Sequence, residues 1–167
     1  MYEPIPKPEG VTFSDQSWSA AVSAVRGYCG WHVAPSTTET VTVDGSGGNV
    51  QFLPTLRLTE VHSVVADGRT VPDPEWSSFG MLRGVRSCKF RGVVATITHG
   101  YDDLPADVLE VATDMASMEG RTGASGFISG PHQVQFGQTS SGAQAGTVGL
   151  SDLQKEILDR YALGSRP

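Results

Sequence analysis

The sequence predicts an α+β fold, and three observations carry that reading. Apolar residues recur at helical spacing over 14–29, 104–116 and 151–161. Between the first two of these, residues 38–98 alternate apolar and polar side chains, are rich in Val and Thr, and are broken by turn residues. The stretch 120–149 follows neither period. It holds eight glycines, and Arg121 is its one unequivocal charge, so it predicts a long flexible loop.

At 167 residues the chain reads as one domain, long enough to bury roughly 70% of its unfolded surface without staples. Charged residues are 18% of the total, and 20 glycines with 10 prolines imply much irregular chain. The formal charge of −6 argues against a surface that binds nucleic acid or anionic membrane as a whole. Cys29 and Cys88 belong to no CxxC or Cys/His cluster, which argues against a disulfide framework or a structural zinc. The start MYEPIPKPEG has no signal-peptide pattern, and no apolar run approaches the about 18 residues of a membrane helix. The expectation is a soluble protein made in the cytoplasm.

Residues 1–12 carry Pro4, Pro6 and Pro8 and read as an extended arm, unstructured by itself or docked on a neighbour. A compact core is expected over 13–119. Ser14 is suited to cap a helix to Cys29, with Phe13 and Trp18 at the spacing of a hydrophobic staple. Trp18, Ala21, Val22, Val25 and Cys29 make its buried face, and Gly27 and Gly30 offer the stop. Val41 and Val43 then alternate with threonines. GSGGN at 45–49 reads as a hairpin turn, and Val50 and Phe52 resume the alternation. Asp67-Gly68 is a strong type I′ hairpin signal, because both central residues need positive φ. After Pro72 and Pro74, the residues Trp76, Phe79, Met81 and Leu82 predict one more short strand.

Residues 93–98 are β-branched except Ala95 and predict a strand ending in the turn 99–103. Leu104, Val108, Leu109, Val111, Ala112, Met115 and Ala116 then share one helix face, with Asp102 or Asp103 as cap. Within 120–149, HQVQF (132–136) alternates like a strand and is expected to order on a partner. The segment 150–167 predicts a terminal helix and tail. Ser151 and Gln154 form a capping-box pair, and Leu150, Leu153, Ile157, Leu158 and Tyr161 form a stripe that needs packing to persist.

Catalytic patterns are weak. No GxSxG occurs, Cys29 near His32 lies at a helix end, and His32 reads as packed beside Trp31. His99, Asp102 and Asp103 read as a capped turn rather than a metal or hydrolase site. GSGG at 45–48 lacks the Lys-Ser/Thr of a phosphate loop and leads into a strand. No enzyme activity, cofactor or metal is expected.

Charge is segregated. Six acids and no Lys or Arg fall between Asp102 and Glu119, while Arg83, Arg86, Lys89 and Arg91 fall with no acid between Trp76 and Tyr101. Three arrangements fit: solvated or intramolecularly paired surfaces, a subunit contact in a closed ring, or a loop touching DNA phosphates in a channel. The ring contact would set Asp107, Glu110 and Asp114 against Arg83, Arg86 and Arg91 of the next subunit.

The order of elements resembles the head–tail connector (head completion, adaptor) proteins of long-tailed bacteriophages. The resemblance is carried by AAVSAVRGYCGWHVAP (20–35), TETVTVDGSGGNVQFLPTLRLTEVHSVVADGRTV (38–71) and WSSFGMLRG (76–84). ATITHGYDDLPADVLEVATDMA (95–116), GPHQVQF (130–136) and LSDLQKEILDRYAL (150–163) complete it. It implies a small bundle of three main helices elaborated by β-hairpins. It further implies a homo-oligomeric ring, typically of twelve, that docks on the portal protein and extends the DNA channel to the next neck or tail protein. Such a protein is found in the virion neck and, during assembly, in the host cytoplasm. Portal contacts would then fall to Leu150, Leu153, Ile157, Leu158, Tyr161, Val134 and Phe136. A second reading is a β-rich virion binding module, a tail terminator or carbohydrate-binding accessory protein, with Trp76 and Phe79 exposed as a platform.

Overall fold

The structure, a computed structural model, describes residues 4–122 and 150–164. The expectations for Val134, Phe136 and the glycine-rich stretch from 123 onward lie outside those residues. The α+β class is as the sequence predicts, with two packed helices, a short third one and two antiparallel sheets.

Helix α1 spans Asp15–Cys29. The Ser14 hydroxyl accepts from the Ser17 N–H at 3.0 Å, and Gly30 closes the helix in the left-handed conformation, donating its N–H to the Arg26 carbonyl. Phe13 and Trp18 stack with centroids 5.9 Å apart, as the staple spacing predicts. From Pro4 onward the proline-rich arm lies on its own α1: the Trp18 indole N–H donates to the Ile5 carbonyl at 2.9 Å, and Lys7 pairs with Asp15 at 2.9 Å.

Among the described residues seven strands follow: β1 (Thr37–Val43), β2 (Val50–Phe52), β3 (Leu58–Ala66), β4 (Arg69–Thr70), β5 (Glu75–Trp76), β6 (Met81–Arg83) and β7 (Val93–His99). The larger sheet has order β1-β7-β3-β4 and the smaller β2-β6-β5. The β3–β4 hairpin turns at Asp67-Gly68, both at positive φ, as expected. The 45–49 stretch is not the hairpin turn that was expected, because β1 pairs with β7 and β2 with β6. It carries the chain from one sheet to the other and packs on the basic loop, with the Gly45 and Gly47 N–H groups donating to the Lys89 and Ser87 carbonyls at 2.9 and 2.8 Å. The 76–82 segment likewise makes two short strands rather than one.

Strand β7 is the centre of the larger sheet. Val93, Ala95, Ile97 and His99 point into the protein, while Thr96 and Thr98 bond to Thr40 and Thr38 of β1 on the other face. His99 is thus the last strand residue rather than the first turn residue. Helix α2 spans Ala106–Thr122 and packs on α1 through Val108, Val111, Ala112, Met115 and Ala116. At its start the side-chain bond to a first-turn N–H comes from Asp107, which accepts from Val108 at 2.9 Å, rather than from Asp102 or Asp103. Helix α3, Asp152–Leu158, opens with the capping box expected of Ser151 and Gln154 but is shorter than 151–161.

Two apolar cores result. One lies between the helices and includes Trp18, Trp31 and Leu158. The other lies between the sheets and is built from residues such as Leu53, Leu58, Leu82, Val85 and Ile97.

Candidate functional site

The terminal stripe divides once folded. Leu158 is fully buried in the helical core, whereas Leu153 is 69% exposed; Leu150, Ile157 and Tyr161 are half-buried against the same core. Polar bonds fix the segment. The Tyr28 hydroxyl donates to Asp159 at 2.6 Å, the Trp31 indole N–H to the Tyr161 carbonyl at 2.7 Å, and the Leu163 N–H to the Cys29 carbonyl at 2.9 Å. Tyr161 also donates its hydroxyl to both Asp107 oxygens, at 2.8 and 3.0 Å. Burial first, and then that carboxylate, push the Tyr161 phenol up to about 12.

The Asp107 bond separates it from the other two acids of its stripe. Glu110 and Asp114 remain exposed on the outer face of α2. Among the basic residues, Arg83 meets Glu75 at 3.4 Å and Arg86 donates to Asn49 at 3.3 Å, both on the surface. The Arg91 backbone N–H donates to Asp44 at 2.7 Å. No ion pair joins the acidic and basic sets among the described residues.

The small sheet carries an apolar edge. Trp76 is 44% exposed and Phe79, in the β5–β6 turn, 62% exposed, with Met81 and Val50 nearby also open. Leu82, by contrast, is buried beneath them. An open groove of about 710 Å³ runs between β3 and the Pro72–Trp76 segment.

A third constellation was missed by sequence reasoning. His32, Glu39 and His99 come from the turn after α1, from β1 and from β7, and each offers a ligand atom within 4.8 Å of the others. His99 Nε2 lies 2.9 Å from Glu39 Oε1, and His32 Nε2 lies 2.9 Å from the Pro35 carbonyl oxygen. The two imidazoles meet edge to face with centroids 4.4 Å apart, and the His99 ring stacks on Trp31. Gly100 closes over the cluster: a Cβ there would lie 2.6 Å from His32 Nε2. Burial, with His99 alongside, lowers His32 to about 4, and burial likewise lowers His99, so both rings are neutral near pH 7. A signal was present in the pattern. Extending the alternation of 93–97 by one step puts His99 on the inner face, as Glu39 shares the face of Val41 and Val43.

No protein-family model matches the sequence, and no curated protein matches it. Solved structures that share the fold include the following two. One is a chain in the neck of the native GTA (gene transfer agent) particle, computed with C12 symmetry: TM-score 0.56 and 16% identity, over 91% of this chain and 85% of that one. The other is in the neck of the empty GTA particle, computed with C6 symmetry: TM-score 0.53 and 16% identity, over 95% of this chain and 87% of that one. At that identity the likeness is one of fold.

Proposed function

We propose that the chain is a structural protein of the head–tail neck of a phage-like particle, an adaptor that forms a ring on the portal and continues the DNA channel toward the tail. The observation that carries the reading is the fold shared, over nearly the whole chain, with subunits of a neck computed with twelve-fold symmetry. The surfaces suit such an assembly. Glu110 and Asp114 on α2 and Arg83 and Arg86 at the small sheet are exposed on separate elements, as a head-to-tail contact between identical subunits requires. Leu153 is the apolar side chain that α3 leaves for a partner such as the portal.

The test is to image the purified chain alone and mixed with its portal protein. Rings coaxial with the portal support the reading, and a chain that stays monomeric and unbound with portal overturns it. Reversing Glu110 and Asp114 to Lys abolishes ring closure, and reversing Arg83, Arg86 and Arg91 to Glu in the same chain restores it. Loss without restoration assigns these charges to solvent.

Trp76, exposed and lining the 710 Å³ groove, with Phe79 exposed in the β5–β6 turn, favours a second reading, a virion binding module for carbohydrate. The double substitution Trp76→Ala, Phe79→Ala separates the two. In the adaptor reading it weakens assembly; in the module reading particles assemble normally and lose glycan binding.

A further inference from the structure

We propose that His32, Glu39 and His99 form a binding site for a divalent transition-metal ion of the zinc class, which clamps the end of α1 to the sheet. The donor set is the first argument. Two imidazoles and one carboxylate suit zinc and its neighbours, whereas magnesium and calcium prefer oxygen donors throughout. The Pro35 carbonyl oxygen, already 2.9 Å from His32 Nε2, or a solvent molecule completes four-coordination.

Geometry is the second argument. Bonds of about 2.0–2.2 Å place neighbouring donors about 3–3.5 Å apart. His99 Nε2 and Glu39 Oε1 are already at 2.9 Å, and the widest separation in the triad is 4.8 Å. The rings are held by Trp31 and by the backbone at Gly100, so closing on an ion falls to the Glu39 side chain, which is 31% exposed on an edge strand. That partial exposure also gives the ion an entry path.

Position in the fold is the third argument. Without an ion, His99 Nε2 donates its hydrogen to Glu39 Oε1 and His32 Nε2 donates to the Pro35 carbonyl oxygen, so a divalent cation binds there by displacing those two protons. The three ligands lie on three separate elements and border both cores: His99 continues the strand of Ile97 and stacks on Trp31. An ion there cross-links the helical layer to the sheet, and its binding free energy adds to folding stability. The inference is independent of the neck reading.

The experiment uses the full chain stripped of metal with a chelator. Zinc is titrated by calorimetry and native mass spectrometry, and cobalt(II) by visible absorption. The expected result is one ion per chain, a tetrahedral-type cobalt spectrum and a raised melting temperature. Glu39→Gln removes a ligand at a partly exposed position and weakens zinc binding by roughly tenfold or more. His62→Gln, at the exposed His62–Glu60 pair, leaves it unchanged. A wild-type chain that takes up no stoichiometric ion overturns the proposal. So does a Glu39→Gln chain that binds zinc as tightly as wild type.

Discussion

Replacing Leu158 and Leu153 separately by Ala distinguishes the part of the terminal stripe that folds the chain from the part that remains for a partner. Leu158 is fully enclosed by the helical core, and truncating it removes the largest apolar anchor of a seven-residue helix. Buried Leu→Ala changes cost about 2–5 kcal/mol, depending on how far the site collapses. Helix α3 cannot persist without tertiary contact, so its polar bonds at Asp159 and Tyr161 weaken with it. A loss of about 3 kcal/mol lowers the urea midpoint by about 1.5 M for a slope of about 2 kcal/mol/M. Leu153, 69% exposed, changes stability by less than about 0.5 kcal/mol. Urea melts of the two variants, with hydrogen exchange on α3, make the measurement. A Leu158→Ala midpoint equal to wild type refutes the reasoning. It would mean that α3 is undocked in the isolated chain, and would return Ile157 and Leu158 to the partner surface along with Leu153.

Three further outcomes follow from the same packing. In metal-free buffer, stability is level between pH 6.5 and about 8 and falls as the pH drops toward 4. The reason is that the unfolded chain takes up a proton at His32 that the folded chain, with its His32 at about 4, refuses. The interval corresponds to about 3 kcal/mol, to which His99 adds in the same direction, and urea midpoints across that range measure it. Tyr161→Phe removes the two bonds to Asp107 and lowers stability by about 1–2 kcal/mol in thermal or urea melts, leaving the rest of the α3 contacts in place. Gly100→Ala sets a Cβ against His32 at a φ of +109°, and destabilises by more than about 2 kcal/mol in the same melts while shifting the His32 ring resonances in NMR.

What was legible in the sequence was local. The Ser14 cap, the Gly30 stop, the Phe13–Trp18 staple, the Asp67-Gly68 turn and the Ser151–Gln154 capping box each depend on residues within a few positions of one another. The apolar faces of α1 and α2 needed only a period of 3.6. What was not legible was pairing. Strand β1 finds β7 across 50 to 62 positions, and β2 finds β6 in a second sheet. The GSGGN stretch therefore reads as a hairpin from its composition and serves as a crossover in fact. The histidine cluster fails for the same reason. His32 and His99 are 67 positions apart, and only the β1–β7 register, Thr37 opposite His99, brings Glu39 to His99 as a diagonal neighbour. Tyr161 and Asp107 met unannounced too, since one belonged to an apolar stripe and the other to an acidic stripe on a separate helix.

That last pair bears on the ring reading. A stripe on a wheel reports which side chains a helix leaves off its main packing face, and says nothing of whether a later segment covers them. The chain from Leu150 to Leu163 covers one end of α2, taking Asp107 out of the acidic stripe and Leu158 out of the apolar one. Glu110, Asp114 and Leu153 remain exposed, on elements joined rigidly through the Tyr161–Asp107, Trp31–Tyr161 and Tyr28–Asp159 bonds. In the neck reading proposed above, those bonds would set the angle between Leu153, offered to the portal, and α2, offered to the next subunit. Loosening them then affects ring closure more than subunit stability, because closure repeats one angular error at every interface whereas stability counts it once. Tyr161→Phe is the variant that reads this. Its cost of about 1–2 kcal/mol leaves the subunit folded, and in the neck reading it yields open or polydisperse assemblies with the portal.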